Sequence, residues 1–167
     1  MLADLIRSEQ PDAVLHLAAL VSVPESFANP EFNNLLNIDK TRLVAAAASG
    51  SVRRIVFASI AAVYGANPDL PLRETAGTRP LSPYGEAKFT SEAILAGLAQ
   101  SHPAISTVAL RYFNVYGPRQ NPRPPYCGVI SFLAAAYREG RPFTVQGDDG
   151  QTRDFVSVAD VAPTCSR

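Results

Sequence analysis

The 167-residue sequence predicts an α/β fold built on a parallel sheet, and three observations lead there. Three short, continuous apolar runs (residues 13–18, 54–59 and 106–112) read as strands buried inside a sheet. Segments of helical spacing lie between them, two of them opened by a capping residue followed by proline. No hairpin turn joins successive runs until the end of the chain, so neighbouring strands must be linked by helical crossovers. The length suits one well-buried domain better than two.

The elements follow in order. Leu2, Leu5 and Ile6 share one face of a first helix, which Pro11-Asp12 breaks. Residues 13–18, Ala-Val-Leu-His-Leu-Ala, form a strand expected to be covered on both faces. Asn29-Pro30 is a cap with proline at the first helical position, and that helix is expected to reach Ala48 and stop at Gly50. Residues 54–59 are the second strand. A proline-bearing loop then leads to Ser82-Pro83, a second cap-and-proline start, and to a helix ending near Gln100. Residues 106–112 are the third strand. Prolines at 118, 122, 124 and 125 make residues 117–126 an irregular loop. A helix over 129–139 ends at Gly140, and residues 143–145 and 154–156 are short strand candidates on either side of Gly147-Asp-Asp-Gly150. The change in character near residue 115 divides the chain into a sheet domain, 1–114, and a smaller region, 115–167.

Composition narrows the function. A net charge of zero and no basic stripe argue against a nucleic-acid partner. Cys127 and Cys165 are too few and too far apart for a metal site, so no metal is expected and both read as free thiols. No apolar run has membrane-spanning length, and the first residues lack the regions of a signal peptide, so the expectation is a soluble, cytoplasmic protein without membrane contact.

The chemistry centres on Ser82-Pro-Tyr-Gly-Glu-Ala-Lys88. Four residues apart on a helix, the Tyr84 phenol and the Lys88 ammonium share a face. A nearby cation favours phenolate and is expected to lower the phenol's pKa from about 10. Such a tyrosine exchanges protons with a sugar hydroxyl near neutral pH, the acid–base half of a nicotinamide oxidoreductase site. The alternative is an ordinary amphipathic surface helix.

Five motifs occur in one order: His16-Leu-Ala-Ala-Leu20, Val63-Tyr-Gly65, Tyr84-Gly-Glu-Ala-Lys88, Arg111-Tyr-Phe-Asn-Val-Tyr-Gly-Pro-Arg119 and Gly147-Asp-Asp-Gly-Gln-Thr-Arg-Asp-Phe-Val156. Together they resemble the NAD-dependent sugar epimerase/dehydratase family of extended short-chain dehydrogenases, over nearly the whole chain. The resemblance implies a partial Rossmann-like parallel sheet with flanking helices and the start of a small substrate-capping region. It implies NAD as cofactor and a UDP-sugar as substrate. Tyr84 would be the general acid/base, and Lys88 its electrostatic partner and a ligand of the nicotinamide ribose. Leu17, Ala18, Ala19, Leu20 and Val21 would line the cofactor, the small alanines admitting the nucleotide; plain core packing explains them equally well. Asn37 matches an asparagine near the cofactor, although a lone helical asparagine is commonly just solvated. Phe113 would lie near the nicotinamide, Asn114 would bond the sugar nucleotide, and Arg153 would bind its diphosphate. Arg119 is a weaker candidate for that work, and His16 reads as a structural histidine. The helices starting near Pro30 and Ser82 would form a four-helix homodimer interface.

The sequence also departs from the family's pattern. Where the family carries a Ser or Thr four residues before the tyrosine of Val-Tyr-Gly, this chain has Ile60. Ser59 is adjacent, but strand neighbours face opposite ways, so it serves only if the strand end bulges. No glycine-rich pyrophosphate turn stands ahead of Leu2, and the family's capping structure does not follow Ala162, so a fragment is expected. Dehydratases carry Asp-Glu just before Val-Tyr-Gly, whereas Ala61 and Ala62 stand here. The implied activity is therefore 4-epimerisation of a UDP-hexose, impaired or absent in the isolated chain. The alternative is a non-catalytic remnant that binds a sugar nucleotide or pairs with a full-length homologue.

Overall fold

The computed structural model of the chain describes residues 1–122, 127–144 and 150–165, and the chain divides into two compact units, Met1–Tyr112 and Phe113–Arg167. In the first, α1 (Leu2–Glu9) closes at Gln10, whose left-handed φ of 44° turns the chain into β1 (Ala13–His16). The strand stops two residues earlier than its apolar run suggests. A short helix that the spacing does not reveal, α2 (Val23–Ala28), is capped by the Ser22 side chain, which accepts from Glu25 N. Asn29 caps α3 (Pro30–Asn34) in the same way, accepting from Phe32 N. The helix continues through a wide π turn, Leu35–Asp39, into α4 (Lys40–Ala48). After β2 (Arg54–Ile60) comes a tight 3-10 turn, Ala61–Tyr64. Ser82 caps α5 (Pro83–Ser101) by accepting from Gly85 N, and β3 (Ser106–Tyr112) completes the unit.

The three strands are parallel in the order β1-β2-β3, pairing His16 with Phe57 and Phe57 with Ala109. With a side-chain period of two, Val14, His16, Ile55, Phe57 and Ser59 share one face. There Ile55 and Phe57 meet Ile6, Ala45, Ala48, Leu95 and Leu98 in one core. On the other face Leu15 is 48% exposed and Val108 38%. The expectation that β1 is buried on both faces therefore fails. It is an edge strand, and among the described residues all the helices of its core lie on one side.

In the second unit β4 (Asn114–Tyr116) pairs in parallel with β5 (Phe155–Ser157), beside α6 (Val129–Arg138) and α7 (Val158–Thr164). Gly117 is required for this packing, because a Cβ there would lie 2.2 Å from Val158 Cγ1. Phe143 and Thr144 are not in a strand, and Val145 and Gly147-Asp-Asp lie outside the described residues. Among the described residues no helix is long and apolar enough to cross a membrane, and no group of three His, Cys, Asp or Glu is gathered for a metal ion.

Candidate active site

Tyr84 begins the first turn of α5, where that helix approaches the 3-10 turn closely: a Cβ at Gly85 would stand 3.2 Å from Ala62 O. Its own amide donates to Ser26 Oγ at 3.2 Å, so the unforeseen α2 holds the start of the helix. Tyr84 and Lys88 are both buried, Lys88 being only 3% exposed, which an ordinary surface helix does not explain. Lys88 Nζ donates to Ala58 O at 2.7 Å, lies 4.6 Å from the Phe57 ring centre and 5.9 Å from that of Tyr84. The spacing does bring amine and phenol together.

Their titration differs from the simple expectation. Burial pushes the Tyr84 phenol above its ordinary value and lowers Lys88 to about 8. Desolvation disfavours both charged forms, so each group is moved toward its neutral state. Among the described residues no carboxylate pairs with the lysine. A fall from 10.5 to about 8 corresponds to roughly 3 kcal/mol against folding at neutral pH. Lys88→Met is therefore expected to raise stability at pH 7 by about 2 kcal/mol, after the lost bond to Ala58 O is subtracted. Between pH 8 and 10 the unfolded chain holds the lysine proton more tightly, so the unaltered protein gains stability as pH rises, while the variant lacks this gain. Denaturant unfolding at pH 7, 8, 9 and 10 checks both; a variant less stable at pH 7 would refute the assignment.

Asn37 is not solvated. Buried inside the π turn, it accepts from Leu20 N at 3.0 Å through Oδ1 and donates through Nδ2 to Leu20 O at 3.0 Å and to Asn33 Oδ1 at 2.8 Å. Asn33 in turn donates to Pro83 O, next to Tyr84. The Asn37 carbonyl, released by the wide turn, accepts from both Thr41 Oγ1 and Ser91 Oγ. One amide thus pins the irregular segment after β1, where Leu17, Ala18 and Val21 are exposed and Ala19 and Leu20 half-buried, to the helix layer that holds Tyr84.

His16 is structural, as the sequence suggests. Its Nε2 is 2.9 Å from Thr41 Oγ1, whose only hydrogen goes to Asn37 O, so Nε2 carries the proton. Burial, helped by the Lys88 charge, lowers its pKa. Below about pH 6.5 the unfolded chain takes up this proton first, so stability falls as pH falls. His16→Gln is expected to flatten acid unfolding between pH 6.5 and 5, measured by circular dichroism; an unchanged slope would count against it.

The strand end carries a network that sequence reasoning missed. Ser59 Oγ donates to Glu92 Oε1, and Arg111 reaches the same carboxylate through Nε at 3.0 Å and Nη2 at 2.7 Å. The guanidinium also lies 4.8 Å from the Tyr64 ring centre, and Glu92 pushes its pKa up. Ser59 is therefore engaged two turns beyond Tyr84 along α5, and no bulge turns its hydroxyl toward the phenol. Ile60, extended at φ −149°, presents a hydrocarbon to the other face. The signal that would have found Glu92 is its place in the series Tyr84, Lys88, Glu92, one face at four-residue steps.

In the second unit Asn114 donates through Nδ2 to Asp154 O at 2.8 Å, which the β4–β5 pairing brings alongside. Among the described residues the exposed Arg153 bonds locally, to Thr152 O at 2.7 Å and Gln151 Oε1 at 3.4 Å, and Phe113 is exposed.

The profile of the NAD dependent epimerase/dehydratase family matches residues 1–167. A UDP-glucose 4-epimerase of Mycolicibacterium smegmatis is 35% identical over 162 residues, covering 96% of this chain and 51% of that protein. The Thermotoga maritima UDP-glucose 4-epimerase solved with UDP-glucose superposes with a TM-score of 0.94 at 32% identity, over 99% of this chain and 54% of that one. The Thermus thermophilus UDP-glucose 4-epimerase complex with NAD gives 0.84 at 34% identity, over 99% and 55%. The chain spans about half the length of the curated relatives it matches. A profile matched from end to end, on a parallel sheet shared with these enzymes, establishes that the chain belongs to the NAD-dependent epimerase/dehydratase family.

Proposed function

We propose that this chain carries the proton-transfer half of an NAD-dependent 4-epimerase for a UDP-hexose, with turnover impaired by Ile60. The observation that carries the reading is Lys88: among the described residues a buried ammonium with no carboxylate partner, bonded to Ala58 O, and with donors left over beside the Tyr84 ring. Two hydroxyls of a nicotinamide ribose fit those donors. Bound NAD would supply a hydride acceptor, taking hydride from C4 of the sugar and returning it to the opposite face.

Tyr84 would take the C4 hydroxyl proton as hydride leaves and give it back on return. Its raised pKa keeps the phenol protonated at rest, so ionisation depends on positive charge supplied when the site fills. Asn37 would hold residues 17–21 as the wall facing the cofactor, and Phe113 would stand near the nicotinamide. Asn114 and Arg153 would take the sugar nucleotide and its diphosphate. Ala61 and Ala62 offer no carboxylate for dehydration. Exposed Phe32, Leu35 and Leu43 along the helix from Pro30, with Phe89 on α5, support a homodimer through these helices. The proposed compartment is the cytoplasm.

Ile60 favours a second reading, a non-catalytic module that binds a sugar nucleotide or pairs with a full-length homologue. The test is incubation of the purified chain with UDP-glucose and NAD⁺, scored by UDP-galactose, alongside calorimetric titration with each ligand. Slow turnover that Tyr84→Phe abolishes supports the enzyme. UDP binding without NAD⁺ binding supports the module, and turnover at the rate of the full-length relatives would refute impairment.

A further inference from the structure

We propose that the second unit holds an anion site for a phosphoryl group, in a cavity of about 460 Å³ between the loop after β4 and one face of α6. Arg119 and Arg138 both line it, with Gln120 and Ser131 as neutral polar groups and Tyr116 and Ile130 among its apolar ones. Among the described residues none that line it is acidic, and neither arginine side chain has an ion pair or hydrogen bond. Two unpaired guanidiniums on one concavity repel each other until an anion sits between them, and each is a planar fork suited to phosphate oxygens.

The loop that carries Arg119 is braced. Gln120 donates to Val115 O at 3.3 Å and accepts from Ser131 Oγ, tying the loop to both β4 and α6. The fit is tight, since a Cβ at Gly128 would lie 2.8 Å from Gln120 Nε2. Arg119 itself sits at φ 68°, a left-handed conformation that a long side chain rarely adopts. The side chain is exposed, and the bracing fixes the backbone from which it lines the cavity. Arg138 alone would be explained as a cation complementing the last turn of α6. Sharing a cavity with a strained, braced Arg119 is not explained that way. Two positive charges match a phosphoryl dianion better than a carboxylate, and the apolar wall accommodates a small organic body esterified to it. Neither Asn114 nor Arg153 lines the cavity, so the site is separate from those two residues; Arg119, the weaker candidate for the diphosphate, is assigned to this cavity instead.

Calorimetric titration of the whole chain at low ionic strength tests it, with inorganic phosphate, phenyl phosphate and, as monoanion control, benzoate. Both phosphoryl compounds are expected to bind, benzoate about tenfold or more weakly, and added NaCl to weaken binding. A tighter phenyl phosphate identifies an ester as the ligand; equal affinity identifies free phosphate. Arg119→Gly suits the left-handed backbone, so its melting temperature is expected to be no lower than that of the unaltered chain while affinity falls about tenfold or more. Arg138→Gln is expected to show the same fall with its fold intact. Absence of binding to the unaltered chain, benzoate binding as tightly as phenyl phosphate, or unchanged affinity in either variant would overturn the site.

Discussion

Ile60→Thr is expected to raise turnover of UDP-glucose about a hundredfold over the unaltered chain, with a much smaller change in KM. A donor that bonds the reacting oxygen chiefly in the transition state contributes about that much to rate. Threonine keeps the β-branch that suits the extended φ of −149° at residue 60, so the strand end tolerates it. Ser59→Ala in the same background is expected to leave turnover largely in place, because that hydroxyl is bound to Glu92. Initial rates of UDP-galactose formation, followed by chromatography for the three chains, decide the matter. No gain from threonine, or activity that disappears with Ser59, would place the missing hydroxyl elsewhere.

Asn37→Leu is expected to cost roughly 3–5 kcal/mol of stability. The change leaves the Leu20 amide, the Leu20 carbonyl and Asn33 Oδ1 without their partner, and each such group costs about 1–3 kcal/mol where water does not replace it. Against a total of about 5–15 kcal/mol this is a large fraction. The melting temperature should fall by about 10 °C in a chain of this size. Scanning calorimetry measures it, and limited proteolysis should show new cleavage within residues 17–22. A loss under about 1 kcal/mol would mean that the Leu20 backbone is hydrated and the amide is not its anchor.

The parallel sheet, the helix from Asn29-Pro30 and the helix from Ser82-Pro83 were legible because their signals are local: apolar runs, capping side chains and proline in the first turn. The same locality makes Tyr84 and Lys88 readable as a pair. What was not legible depends on distant partners. That Lys88 would lose part of its basicity, and Tyr84 keep its proton, follows from burial against Phe57 and β2. Glu92 and Arg111 belong to different elements and meet only once α5 packs against β3. That Asn37 anchors Leu20 was not legible, because nothing in its neighbourhood announces that Leu20 will fold back onto it. The bare face of β1 escaped notice for a related reason: an apolar run records what a strand could bury, not which neighbours are there to bury it.

The wide turn at Leu35–Asp39 is equivalent to a single extra residue threaded into a continuous helix. Shortening this segment by one residue would restore regular α-helical winding, yet it would swing everything ahead of it by about 100° relative to Thr41 and Ala45. Asn33 would then leave Pro83, and Asn37 would lose Leu20. Insertions and deletions should thus be far less tolerated here than substitutions, although the segment lies on a helix whose outer side faces solvent.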